Sequence, residues 1–256
     1  MVYMPLLFLV FFWFLFGAAI GSFLNVVICR LQTRESFVHG RSHCPHCCAK
    51  LHWHDLLPIV SFMCLGGKCR YCRRTISWRY LFIEIITGAL FVLGAVSGLG
   101  SAQFLLYLVA VSFFIILFVY DSETYIVPDS VSLPALAIIF LLNLAGGANW
   151  VSLLAGMLLG GGWFLAQFIL SRGRWVGGGD IRLGLLIGAL VGFPLVGLSL
   201  MIAYVGGSLI AVGLMLGRRA KFGSRLPFAT FLLPAALITW LWGNQIWAVY
   251  TNWLGL

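Results

Sequence analysis

The sequence predicts an all-α polytopic membrane protein, with about eight transmembrane helices and a cysteine-rich cytoplasmic loop between the first and the second. Three observations predict it. Of 256 residues, 62% are hydrophobic and only 9% are charged, with a mean hydropathy of +1.04; a soluble domain carries about 25% charged residues. Sixteen Lys and Arg and seven Asp and Glu are too few to solvate a globule of this length. The basic residues also stand at the ends of apolar runs. Nine lie between Arg30 and Arg79, and the others are Arg172, Arg174, Arg182, Arg218, Arg219, Lys221 and Arg225. This composition excludes a soluble enzyme, a disordered chain and a secreted disulfide miniprotein. The net charge of +9 would suggest nucleic acid in a soluble protein, but its placement makes it a topology signal, so no nucleic-acid partner is expected.

A helix needs roughly 20 apolar residues to cross the hydrocarbon. Runs bounded by charges or by Gly, Pro and Asn clusters predict spans near Pro5–Ile28, Tyr80–Ser97, Ala102–Tyr120, Val131–Ala145, Trp150–Leu170, Leu183–Gly197, Leu198–Gly217 and Phe228–Tyr250. The sixth and seventh form one apolar stretch, which Gly192-Phe193-Pro194 or Gly197 would turn. The fourth is short. If residues 29–79 are cytoplasmic, alternation puts 121–130, 171–182 and 218–227 on the same side. All sixteen basic residues then fall there, as the positive-inside rule requires. The first run lacks a basic n-region and exceeds the usual signal-peptide core, so it is read as a retained helix. Glycines inside the spans (Gly156, Gly160, Gly161, Gly162, Gly206, Gly207) would permit close helix packing.

Cys44-Pro-His-Cys47 and Cys69-Arg-Tyr-Cys72 form two C-x2-C pairs separated by 21 residues. Two such knuckles can close four thiolates tetrahedrally on Zn²⁺, with Gly66-Gly67 suiting a tight turn. Iron in the same cage, or redox and disulfide use, are the alternatives; a cytoplasmic face disfavours disulfides. Four thiolates leave no open position, so the metal is read as structural. Cys29, Cys48 and Cys64 are read as small apolar residues. The five histidines (His39, His43, His46, His52, His54) share this loop, which leaves a mixed Cys/His site open.

Of the seven carboxylates, Glu35 and Asp55 are expected to be solvated, Glu84 to pair with Arg79 or a loop arginine, and Asp129 to cap the fourth span. Glu123 marks the interface. Asp121 ends the third span and Asp180, in Gly177-Gly178-Gly179-Asp180, starts the sixth. Both are placed at one membrane boundary, where ionisable groups are functional candidates by default. Two carboxylates sharing a water do not both ionise easily, which leaves one base to activate water and one acid to protonate a leaving amine. The three glycines would let another backbone approach closely. An ion or proton relay, or a helix cap for Asp180 neutralised by Arg182, remain the other readings of these residues.

These motifs together resemble the bacterial type IV prepilin peptidases, leader peptidase/N-methyltransferases of the GxGD aspartyl protease group. The resemblance runs along nearly the whole chain: Gly21-Ser-Phe-Leu-Asn-Val-Val-Ile28 with Arg30-Leu31, the two cysteine pairs with Leu57-Pro-Ile-Val-Ser-Phe62 between them, Ile76-Ser77, Arg79-Tyr80 and Glu84. Asp121 with Ile126-Val-Pro-Asp129 resembles the first catalytic motif, Gly177–Asp180 with Arg182-Leu183 the second, and Leu226-Pro-Phe-Ala229 a motif near the last helix. The resemblance implies that Asp121 and Asp180 bind the hydrolytic water. It implies cleavage of type IV prepilin or type II secretion pseudopilin leaders after a glycine, at the cytoplasmic face of the bacterial inner membrane. It also implies methylation of the new N-terminus with S-adenosylmethionine, for which the sequence holds no strand–glycine loop–helix signature. The corresponding domains are 1–28, the first helix; 29–79, the zinc loop associated with methyl transfer; and 80–256, a seven-helix peptidase domain. A transporter with Asp121 and Asp180 as a relay would instead carry its carboxylates near the bilayer midplane. A zinc-stapled anchor would have no active site.

Overall fold

The structure, a computed structural model, describes residues 3–33, 35, 42–44, 46–218 and 226–254. His39 and the basic residues Arg219, Lys221 and Arg225, to which the sequence reading assigned ligand or topology roles, lie outside the described residues. Regular structure among the described residues is helical: α1 (Tyr3–Thr33), a 3-10 turn (Trp53–Asp55), α2 (Val60–Cys64), α3 (Trp78–Val96), α4 (Ser101–Thr124), α5 (Asp129–Ala145), α6 (Trp150–Ser171), α7 (Gly178–Val191), α8 (Leu195–Leu216) and α9 (Ala229–Leu254). The chain divides into two compact units, Met1–Ile116 and Leu117–Leu256.

Every one of the eight apolar runs carries a helix, but the runs do not all qualify as spans. Among the described residues five helices are long and apolar enough to cross a membrane: α1 over Leu6–Thr33, α3, α4, α6 and α8. The chain is therefore a multi-pass membrane protein, with eight an approximate count. The 14 residues of α7 rise only about 21 Å against a hydrocarbon core of roughly 30 Å. The long apolar stretch turns at Gly192-Phe193-Pro194, before α8 begins at Leu195, and Gly197 lies inside the helix. The Ser152 hydroxyl donates to the Phe193 carbonyl at 2.8 Å and the Phe193 N–H donates back to the Ser152 carbonyl at 3.0 Å, which fastens the turn to α6. α1 outlasts its apolar run by five residues, because Arg30 is buried at 7% exposure rather than ending the helix in water.

Within the first unit α1 packs on α3. A side chain at Gly17 or Gly21 would meet the α3 backbone at Gly88 or Glu84, so glycine sets this approach. Phe91 and Tyr107 are fully buried, and the Tyr107 hydroxyl donates to the Leu90 carbonyl at 2.9 Å. Toward its start α1 presents Leu7, Phe8 and Phe11 outward, which hydrocarbon tolerates and water would not.

The second unit is organised around α7, which packs against α5, α6, α8 and α9. Leu183, Leu186, Ile187 and Leu190 of α7 are all buried. α6 and α7 touch backbone to backbone, since a methyl group at Gly156, Gly160, Gly184 or Gly188 would fall on the main chain of the partner helix. Gly207 faces Phe231 of α9, whereas Gly162 and Gly206 have open space beside them and do not serve the packing expected of them. Asn143 of α5 donates to the last carbonyls of α7, Ala189 and Leu190, at 2.9 and 2.8 Å. It thereby satisfies acceptors that a helix end leaves unpaired.

Candidate functional site

Two constellations emerge, one in each unit. In the second unit Asp121 sits in the last turn of α4 and Asp180 in the first turn of α7. Their carboxylates lie close enough for their charges to interact. Asp121 is 5% exposed, and its Oδ2 accepts a 3.2 Å hydrogen bond from the N–H of Ala229, the first residue of α9. Asp180 is half-buried, and its Oδ2 accepts the N–H of Gly177 at 2.8 Å. The capping bond considered for Asp180 is thus made, through one oxygen. A backbone N–H fixes each carboxylate's orientation without neutralising it.

The glycines before Asp180 differ in use. Gly177 is the N-cap in extended conformation. A side chain at Gly179 would strike the Val127 side chain at 2.8 Å, and Gly178 has nothing within 4 Å of where a side chain would begin. Room for another backbone therefore exists at Gly178, whereas the space at Gly179 is taken by this chain's own Val127. Arg182 does not neutralise Asp180; it forms an ion pair with Asp129. Asp129 in turn is not the cap of α5, because Pro128 holds the N-cap position and Asp129 lies in the first helical turn. The partner that sequence reasoning missed is the Ala229 N–H, for which the signal was the Leu226-Pro-Phe-Ala229 motif.

In the first unit the four cysteines Cys44, Cys47, Cys69 and Cys72 converge, their Sγ atoms all within 4.8 Å of one another. The same turn is built twice. Cys44 accepts from the N–H of Cys48, and Cys69 from that of Arg73; Cys44 donates to Ala49, and Cys69 to Arg74. Cys48 and Arg73, which follow each pair, both have positive φ, at 55° and 60°. Cys48 is thus a turn residue outside the cage, not a competing ligand. The bridges His43 to Lys50 and Lys68 to Thr75 close the two turns. Gly66 and Gly67, also at positive φ, end α2 ahead of the second knuckle rather than forming it.

Zn–S bonds of about 2.3 Å put tetrahedral sulfurs about 3.8 Å apart, and Cys44 Sγ lies 3.9 Å from Cys72 Sγ. All four thiols are free. The N–H groups of Cys72 and Tyr71 pull the Cys69 thiol down to about 7. At Cys47 the Ala49 N–H favours the thiolate, but desolvation and the neighbouring Cys44 and Cys72 sulfurs push it up to about 11. A cation in the cage removes that conflict, so these residues fit a metal ion. Among the described residues no histidine joins the group; His46 Nδ1 lies 3.3 Å from Arg74 instead.

Two carboxylates of this unit depart from expectation. Asp55 is not simply solvated. Burial opposes its ionisation, but Arg70 at 2.7 Å, the His52 N–H and the Tyr71 hydroxyl, both at 3.1 Å, outweigh it and hold the group below the usual range. This ties the middle of the loop to the second knuckle. Glu84 is buried at 8% exposure, and its Oε2 accepts the Ile59 N–H at 2.7 Å.

Comparison with known proteins bears on both constellations. Residues 15–97 match the bacterial peptidase A24 N-terminal domain, and residues 108–216 match the type IV leader peptidase family. A prepilin leader peptidase/N-methyltransferase of Bacillus subtilis is 32% identical over 93% of this chain and 96% of its own length. Its namesake from Aeromonas hydrophila is 33% identical over 94% and 93%. The Pseudomonas aeruginosa protein of the same name is 28% identical over 94% and 93%. No solved structure matches. With relatives matching end to end and two family domains covering both the cysteine cage and the aspartates, the chain belongs to the type IV leader peptidase family.

Proposed function

We propose that this chain is a prepilin leader peptidase and N-methyltransferase of the membrane, with Asp121 and Asp180 as its catalytic pair. The observation that carries the reading is that two carboxylates from α4 and α7, near enough for their charges to interact, are each oriented by a backbone N–H. One, ionised, takes a proton from a water held between them as the water attacks the scissile carbonyl. The other, protonated, gives its proton to that carbonyl oxygen; as the gem-diol collapses, the first passes the water-derived proton to the departing amine and the second takes a proton back from a gem-diol hydroxyl. The open backbone at Gly178 is where the leader strand lies against the chain. The positive-inside pattern supports an active site on the cytoplasmic face of the bacterial inner membrane. The substrates are prepilin or pseudopilin precursors, cut after glycine.

The cysteines hold structural Zn²⁺, consistent with sulfur spacing and the absence of an open ligand position. S-adenosylmethionine supplies the electrophilic methyl group. The functional division is into the first helix to residue 28, the zinc loop to 79 and the peptidase region to 256. The test mixes detergent-solubilised protein with a prepilin precursor and follows mass and N-terminus. A shortened product that requires both aspartates, and a further methyl group on adding S-adenosylmethionine, are expected. A folded, zinc-loaded chain that cuts no precursor overturns the reading.

A further inference from the structure

The first unit contains a cavity of about 1360 Å³ between the cysteine turns and the helices α1 and α3. Pockets for drug-sized ligands run from about 300 to 1,000 Å³, so it holds a nucleoside-sized ligand with room beside it. Two buried acceptors line its helical side. Asn25 is 2% exposed. Its Nδ2 donates to the Tyr80 carbonyl at 3.0 Å, which fixes the amide's orientation and leaves Oδ1 buried without a partner among the described residues. A buried acceptor left unmade is costly, and Asn25 is among the residues that line the cavity.

Glu84 is the second acceptor. Ser22 and the Ile59 N–H hold its carboxylate. Ile59 itself sits at φ 62°, ψ −50°, within a three-residue turn closed from the Val60 N–H to the Pro58 carbonyl. That conformation is strained for a β-branched residue. Such strain is characteristic of sites where a side chain must be aimed; here it points an N–H at Glu84. The lining also includes Arg30 and Arg79, so the field is mixed. A ligand carrying cations, hydrogen-bond donors and a carboxylate matches it better than a simple cation does.

We infer that this cavity binds the sulfonium methyl donor, with Asn25 Oδ1 accepting from the nucleoside and Glu84 facing the sulfonium. The inference rests on the methyltransferase reading above and goes beyond it by assigning the donor's site. The test titrates the full-length, zinc-loaded protein in detergent with sinefungin, which carries an ammonium group where the donor has its sulfonium, and with neutral-thioether S-adenosylhomocysteine. Wild type is expected to bind both, sinefungin the more tightly. Asn25→Ala is expected to weaken both by about tenfold, and Glu84→Gln to erase the preference for sinefungin. Ser61→Trp, which fills the cavity from α2, is expected to block both. Precursor cleavage by the same preparations certifies that each variant folds. Unchanged affinities in cleaving variants overturn the inference while leaving methyl transfer standing, as does competition for the cavity by a basic leader peptide but not by either analogue. A wild type that cleaves but neither methylates nor binds the analogues overturns the inference and the methyltransferase reading together.

Discussion

Between Cys44 and Cys72 the chain builds a cage from two copies of one tight turn, with Cys44, Phe62 and Cys69 as the apolar residues buried there. Asp121, Asp180 and Ala229 are instead gathered from three helices, the outer two residues 108 positions apart, around α7, whose inward face is fully packed. The first arrangement is local in sequence, rich in backbone hydrogen bonds and poor in core. A cation held by the four cysteines would supply what hydrophobic burial does not. The second is brought together by helix packing, with the Gly177–Asp180 hydrogen bond as a local tie. A local site is robust to distant substitution and sensitive to one ion; a packed site is the reverse.

The largest effect should come from the packed site's chemistry. Asp121→Asn or Asp180→Asn is expected to lower the initial rate of precursor cleavage by about 10³-fold or more, with sinefungin affinity moved less than twofold. Loss of both together would deny that the two constellations are separate. Next comes the packing beneath Asp180. Gly188→Ala drives a methyl group into the Gly156 backbone and should cost about 3 kcal/mol or more, seen as a fall in melting temperature and in monodisperse yield. Gly162→Ala, on the same helix pair but facing open space, should gain up to about 1 kcal/mol from helix propensity. Equal outcomes for the two would sink the close-approach account.

Removal of the metal sharpens the other side. Chelation should open residues 48–69 to limited proteolysis and abolish sinefungin binding, while slowing cleavage by less than about tenfold. Full loss of cleavage in an intact chain would mean that the local site supports the packed one. Ala229→Pro keeps a favourable first helical residue but deletes the N–H that Asp121 accepts, and should slow cleavage by about tenfold. The smallest effect belongs to the exposed Arg182–Asp129 pair, where Arg182→Gln should change stability by less than about 1 kcal/mol in a thermal melt.

Much of this was legible in the sequence for one physical reason. Apolar runs and cysteine spacing are local patterns, and they marked the helices and the four sulfurs correctly. Partner choice is not local. Asp55 and Glu84 read as an ordinary loop acid and an arginine partner, yet one braces the second knuckle and the other holds a strained turn. Arg182 stands two residues from Asp180 and pairs with Asp129, because successive helical positions face different neighbours. Among the glycines, composition did not separate Gly188, which meets a backbone, from Gly162, which meets nothing. Only the rotation of one helix on another decides that.

The contact between α6 and α7 has a mechanical consequence. Two helices joined main chain to main chain over Gly156–Gly188 and Gly160–Gly184 leave no layer of side chains to shear, so they flex as one beam. Asp180 is mounted at one end of that beam, and the turn pinned by Ser152 closes the other. A substrate that needs space must obtain it by displacing something else, and the beam's free margin is the short glycine segment ahead of Asp180.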